Sequence, residues 1–407
     1  MKLTKVFRQS LISLVAMVAI SGCGSNNNSH DDDKLIETNL TQKYNDIIRP
    51  YQRVAILTGT ENDIERIALT IANYVVMTDE KAVLNFPSNW VIAGANPHSH
   101  ETYDGDADLL HIPVDTGTKV YKSRVIEFCN GMYAKQAINT GQQRGSALPC
   151  EVSVHSDGKN VYVDMLNADA IFTLFFPNTP DPEGQMKSMA NAVNSEIRTM
   201  IMASLINEPS TQESIEKLGP QFTENDVKAI NESDIYIVRK YQNKDNKVFT
   251  ADDAHNLART IIEKMGTDEA NADVNIEGLS ENSKWRTARV APLDIPGVFV
   301  TEACSPTYAK MATLLGAEYI TALPCEITTY LDRTDTSNRT IAISILNPHF
   351  MFQNMFKGAI PNAVVTGILT LEGAKKYETL ASTVLADLNI IANEAIQSSN
   401  LELLEKK

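Results

Sequence analysis

The sequence predicts an α+β protein made of two similar two-layer α/β sandwich domains, each a mostly antiparallel sheet with helices on one face. Three observations predict it. First, a block of chain recurs. Residues 129–151 read CNGMYAKQAINTGQQRGSALPCE and residues 304–326 read CSPTYAKMATLLGAEYITALPCE, in register at an offset of 175. Second, an amphipathic stripe recurs upstream of each block. Ile64, Ile67, Ala68, Ile71, Ala72 and Val75 are echoed by Ala254, Leu257, Ala258, Ile261, Ile262 and Met265, one apolar helix face in each case. Third, alternating β-branched runs flank each block, and strands in hairpins interleaved with helices give a sheet covered on one face.

Within each unit the elements follow in order. A strand (53–57; 235–238) leads to the amphipathic helix, with Thr60 and Thr250 as N-caps. Two strands come next, the second ending at the first cysteine (124–129; 298–304). A short helix carries Tyr-Ala-Lys. Two further strands follow (148–155 and 161–166; 323–331 and 340–346), with Pro149 and Pro324 confined to strand starts or an edge because proline lacks an N–H. A last helix closes each unit (near 183–205 and 372–396). Leu166-Asn167, Phe172 and Phe176 recur as Leu346-Asn347, Phe352 and Phe356.

The N-terminus carries an address. Lys2, Lys5 and Arg8 precede a short apolar run from Leu11 to Ile20, and Ser21-Gly22-Cys23 follows. The run is too short to span a bilayer but suits a signal peptide. Small residues before a cysteine resemble the bacterial lipoprotein signal, which implies acylation of the Cys23 thiol, for example by palmitate. Several acyl chains would anchor the protein stably to a membrane. Gly24, not Asp, follows the cysteine, which in enteric-like sorting implies the outer membrane, facing the periplasm. The expected layout is a signal peptide (1–22), a lipidated tether and lead-in helix (23–50), a first domain (51–207), a polar junction (208–234) and a second domain (235–407).

The 407-residue chain has a formal charge of −15, and loss of the leader removes three further cations. Such a surface repels phosphate backbones, so nucleic acid is excluded as a partner. No Gly-rich phosphate loop, Gly-x-Ser-x-Gly or His-Glu-x-x-His occurs, which weighs against an enzyme. No cofactor is indicated.

Through Cys304-Ser-Pro, Tyr308-Ala-Lys, Leu323-Pro-Cys-Glu and Leu346-Asn-Pro, the second unit resembles the family catalogued as domain of unknown function 302. The first unit resembles it less, with Gly131 and Ala168 in place of the two prolines. The resemblance implies a small α/β fold that often associates in pairs, so the two units are expected to pack on each other. It assigns no activity and no functional residue.

Candidate chemistry sits at the recurring residues. Cys129 with Cys150, and Cys304 with Cys325, form a matched pair in each unit. If their strands are antiparallel the ends meet, and a bridge over such a loop stabilises by about 3 kcal/mol. If the strands are parallel, the ends lie too far apart. A bridge and a pair of buried thiols therefore stand as equal alternatives, and the spacing disfavours a thioredoxin-like site. Tyr133, Lys135 and Glu151, with Tyr308, Lys310 and Glu326, are candidate pocket residues that could activate a thiol; otherwise the tyrosines are core aromatics with hydroxyls at the rim and the charges face solvent. The first unit has 15 extra residues before its cysteine, in a stretch holding Trp90, His98, His100, Asp104, Asp106, Asp108 and His111. Imidazoles with carboxylates there could hold a divalent ion, although Leu109 stands where a calcium loop needs glycine. Three functions follow: non-catalytic binding of a small ligand or partner at the junction of the units, thiol or metal chemistry at the cysteines, or a purely structural tethered module.

Overall fold

Alternation decides the strands. In β1 (Tyr51–Thr58), β4 (Glu151–Ser156) and β5 (Asn160–Leu166), Ala55, Leu57, Val152, Val154, Val161 and Val163 enter one hydrophobic core under the helices. The intervening residues, among them Arg53, Glu151, Ser153 and Asp164, face the opposite way. In the computed structural model, residues 49–92 and 123–406 are described, apart from 149, 178, 182–183, 209–215, 266–272, 277–278, 283–284, 293–294, 306–307, 309–310, 313–314, 323–324, 357–358 and 368. The signal peptide and Cys23, the tether, Lys310, and the stretch with His98, His100, Asp104, Asp106, Asp108 and His111 lie outside the described residues.

The first half continues through α1 (Ile64–Met77), β2 (Val91–Ile92), β3 (Ser123–Cys129), α2 (Gly131–Asn139), α3 (Ala168–Phe175), α4 (Gln185–Ser204) and β6 (Glu216–Lys217). The second half runs β7 (Tyr236–Asn243), α5 (Ala251–Lys264), β8 (Asp273–Ile276), β9 (Leu279–Asn282), β10 (Arg286–Pro292), β11 (Val298–Cys304), β12 (Cys325–Leu331), β13 (Ile341–Leu346), α6 (Pro348–Met355), α7 (Leu371–Ser398) and β14 (Leu401–Lys406). Two six-stranded sheets result, ordered β2-β3-β4-β5-β1-β6 and β10-β11-β12-β13-β7-β14, with β8-β9 a separate ribbon. Among the described residues every pairing is antiparallel. The two sheets therefore share one strand order, as the repeated blocks predict.

The helix starts follow from side-chain chemistry. The Asp63 carboxylate accepts from the Thr60 backbone N–H, and the Thr60 hydroxyl accepts from the Asn62 N–H, so Thr60 caps a short 3-10 turn that runs into α1. Thr250 and Asp253 make the same reciprocal cap at α5. All six stripe residues of α1 are buried, as are Ala254, Leu257, Ala258 and Ile261 of α5.

The structure departs from the sequence expectations in several places. β1 and β7 are longer than expected. β4 begins at Glu151, not Leu148, because Gln142–Ala147 forms a 3-10 segment first. Asn167 and Asn347 cap two unexpected helices, α3 and α6. The stretch after α4 is structured: β6 and the short helices Glu224–Val227 and Glu232–Ile235 lie in it. After its last helix, each half returns a strand to the sheet edge beside β1 or β7.

Residues 43–407 form one compact unit, and the two halves meet through the sheet faces turned away from the helices. The 3-10 segment Gln142–Ala147 lies on β12 and β13, and its counterpart Ala317–Ala322 lies on β4 and β5. Ser146 Oγ is 3.1 Å from Thr328 Oγ1, and Thr321 Oγ1 is 2.7 Å from Ser153 Oγ. These contacts are one contact seen twice, since 146/321 and 153/328 are matched positions at the 175-residue offset. Such reciprocity is the signature of a two-fold, isologous interface. Gly145 sits at the closest approach: a Cβ there would lie 2.8 Å from Thr328 Cγ2 and Oγ1. Gly145→Ala should therefore lower stability by about 1–3 kcal/mol through overpacking, measured by denaturant unfolding; an unchanged midpoint would show that the two faces slide apart freely.

Candidate functional site

The matched cysteines lie on adjacent antiparallel strands, so their ends do meet. The register pairs Glu127 with Glu151, and the Phe128 N–H donates to the Cys150 carbonyl. Cys129 is thus one residue out of step with Cys150, and neighbours in a strand point to opposite faces. Cys150 packs against the helix-side core, Cys129 against a smaller cluster that includes Ile138, Val298 and Tyr330. Both are free thiols. Burial, and then the Glu326 charge, push the Cys129 thiol up to about 12. Burial and the neighbouring Cys129, Glu151 and Glu326 push Cys150 up as well. An activated thiolate requires the opposite shift. The same one-residue step holds in the second half, where Ala303 pairs with Cys325 and Glu302 with Glu326.

The junction places glutamates where the two sheets face each other. Glu151 is buried opposite Glu127, and one Glu151 carboxylate oxygen finds no hydrogen-bond donor among the described residues. Glu326 is partly buried and accepts from the Leu148 N–H at 3.4 Å. Burial raises the Glu151 carboxyl well above the ordinary value, and the charges of Glu326 and Glu127 raise it further. Burial followed by Glu127 raises Glu326 in the same direction.

The five described candidate pocket residues do not form one pocket, and Lys310 lies outside the described residues. Glu151 and Glu326 come together at the junction, whereas Tyr133 and Tyr308 belong to the helix-side core. Lys135 is exposed on α2. Nor are the tyrosine hydroxyls at a rim. Tyr133 donates to Glu196, which also accepts from Trp90 Nε1 at 2.8 Å. In the second half, Tyr308 and Trp285 both donate to Asp387 Oδ2 at 2.8 Å. Trp90 is therefore not part of a unit-specific loop. It is the counterpart of Trp285, and both are buried anchors in a Trp–carboxylate–Tyr motif. The chain's only two tryptophans, each upstream of a cysteine strand, were the available sequence signal.

The two halves differ at four matched positions on the junction face. In the first, Arg53 is paired across the ladder with Asp164, and His155 with Tyr162. Arg53 grips Asp164 with two hydrogen bonds of 2.9 and 3.0 Å, His155 Nε2 lies 2.7 Å from Asp164 Oδ2, and the guanidinium covers the Tyr162 ring. The same ladder positions in the second half hold Val238 opposite Ser344 and Tyr330 opposite Ala342.

Beside the second set lies a half-open cleft of about 460 Å³, lined from both halves. Its floor is Ile138, Tyr236, Val238 and Tyr330, and its rim includes Glu232, Lys240, Asp332 and Arg333. The rim charges are mostly engaged. Lys240 Nζ lies 2.5 Å from Asp332 Oδ2, and Glu232 accepts from Arg144 at 2.9 Å and from Gln143 at 2.8 Å. Gln142 ties the rim across the halves, donating to the Leu331 carbonyl and accepting from the Arg333 N–H. Among the described residues no group of three or more His, Cys, Asp or Glu could hold a metal ion.

Residues 114–204 match the family described as Domain of unknown function DUF302. The match falls on the first half, the one lacking both turn prolines. No curated protein matches the chain, and no solved structure matches it.

Proposed function

We propose that this chain is a lipid-anchored protein of the bacterial cell envelope, a tandem duplication of one DUF302-type domain, and that it binds a small ligand without catalysis at the junction of the two copies. The cleft between the halves carries the reading. Its volume lies in the range of ligand sites, and it draws an apolar floor and a polar rim from both copies. The repeated blocks, the common strand order and the reciprocal Ser146–Thr328 and Thr321–Ser153 contacts support duplication and pairing. Lipid attachment at Cys23, with the outer membrane as destination, rests on the Ser-Gly-Cys sequence after an apolar run. Among the described residues no helix is long and apolar enough to cross a membrane. Thiol catalysis is disfavoured by the upward shift of Cys129 and Cys150.

Mass spectrometry of the protein extracted from membranes tests this. The denatured chain should begin at an acylated Cys23, and the native protein should carry a non-covalent small molecule that is lost on unfolding. An unprocessed, unacylated chain would end the anchoring proposal, and a native mass equal to the denatured mass would count against binding.

A further inference from the structure

The junction is symmetric in its backbone and asymmetric in its chemistry. On the first half's side, Arg53, Asp164, His155 and Tyr162 fill the face with hydrogen bonds and ring contacts to one another. On the second half's side, the same ladder positions hold Val238, Ser344, Tyr330 and Ala342, which removes two cationic-type groups, one carboxylate and one ring, and supplies one phenol. Two of these residues, Val238 and Tyr330, line the cleft.

What remains in that space selects a ligand. Tyr330 is 4% exposed and lines the cleft, and its hydroxyl is not among the enclosed side-chain atoms without a partner, so it opens onto that space. Three other buried tyrosines donate to a carboxylate or a carbonyl: Tyr133 to Glu196, Tyr308 to Asp387 and Tyr236 to the Phe175 carbonyl. A hydroxyl that opens onto a cleft bonds water there, and a ligand that displaces the water must offer an acceptor in its place. The charges nearest the phenol are Asp332 and Glu232, and both oppose its ionisation. An anion placed against the hydroxyl would meet the same repulsion. Lys240 and Arg144 are held by those two carboxylates, and Arg333 lies exposed on Asn139 Oδ1 at 3.1 Å. Arg333 thus keeps an unpaired charge, but at the exposed rim; among the described residues the other lining cation, Lys240, and the two lining carboxylates, Asp332 and Glu232, are already engaged, so a charged ligand lying against Tyr330 would go unneutralised.

We propose that the cleft takes a small uncharged molecule with an apolar body and one acceptor oxygen, the body lying on Ile138, Val238 and Tyr236 and the oxygen accepting from the Tyr330 hydroxyl. This rests on the cleft being the binding site, and the experiment separates the two claims. Benzyl alcohol, benzoate and benzylamine share one ring and differ in charge. Their binding to the full-length protein is measured by ligand-observed NMR, with Tyr330→Phe and the cleft-filling Val238→Trp as variants and the exposed-rim Asn139→Trp as a second block.

Benzyl alcohol should bind about tenfold more tightly than either charged probe. Tyr330→Phe should weaken it by about threefold to tenfold, the worth of one hydrogen bond, while leaving the charged probes unchanged. A tryptophan block should abolish it. If a charged probe binds as well as the alcohol and the blocks remove it, the uncharged class is overturned while the cleft stands. If Tyr330→Phe binds the alcohol as tightly as the wild type, the role of Tyr330 is overturned. If no probe binds, or a folded block variant still binds, the cleft itself is the wrong site and both claims fall.

Discussion

Glu151→Gln is expected to raise stability at pH 7 by roughly 1–3 kcal/mol, an unusual sign for a substitution in a buried interface. Glu151 is buried opposite Glu127 at the meeting of the two sheets, with Glu326 as a further like charge. Its folded-state carboxyl is raised well above the ordinary 4.5. The folded chain therefore keeps a proton that the unfolded chain has released, and stability falls as pH rises above the ordinary carboxyl value, until the folded group ionises too. Below about pH 4 both states are protonated and the effect vanishes. Glutamine keeps the shape and removes the titration. Denaturant unfolding from pH 4 to pH 8 should show the wild type losing stability and the variant losing less of it; parallel curves would mean that Glu151 is solvated in the native protein.

Asp164→Ala should act in the opposite direction, costing about 3–5 kcal/mol, because it removes the fully buried carboxylate that Arg53 and His155 share. Burial alone would raise the Asp164 carboxyl, but His155 and Arg53 outweigh it and hold it below the ordinary 3.8. Its contribution is present above that value and is lost as pH falls through the depressed one. The variant should thus unfold at lower denaturant near neutrality and converge on the wild type in strong acid. Equal midpoints at pH 7 would refute the ion cluster as a source of stability. Ser344 occupies the equivalent ladder position in the second half, so its substitution by alanine should cost far less.

Much of the scaffold was legible because it rests on periodicity. The α1 and α5 stripes, the reciprocal caps at Thr60 and Thr250, and the strands ending at Cys129 and Cys304 are all local patterns that survive packing. β6 was not legible, since two residues carry no alternation. The candidate site was only partly legible for a different reason. Glu151 and Glu326 were singled out because they recur, but which face they occupy depends on how two sheets meet. Glu196 looks like any acid on an amphipathic helix, and its link to Trp90 and Tyr133 spans 106 and 63 residues of sequence. The cleft arises from differences between the halves, Arg53 against Val238 and His155 against Tyr330, and a search for likeness passes over those positions.

The reciprocal seating of the two 3-10 segments bears on how the molecule tolerates shortening. A stop codon before β7 would leave the 142–147 segment without its bed on β12 and β13, and would uncover the apolar and carboxylate surface it now shares. Because the missing bed has a near-equivalent in β4 and β5, the surviving fragment could satisfy itself with a second molecule of its own kind. Truncated material should therefore accumulate as symmetric dimers or as aggregate, and not as monodisperse single domains.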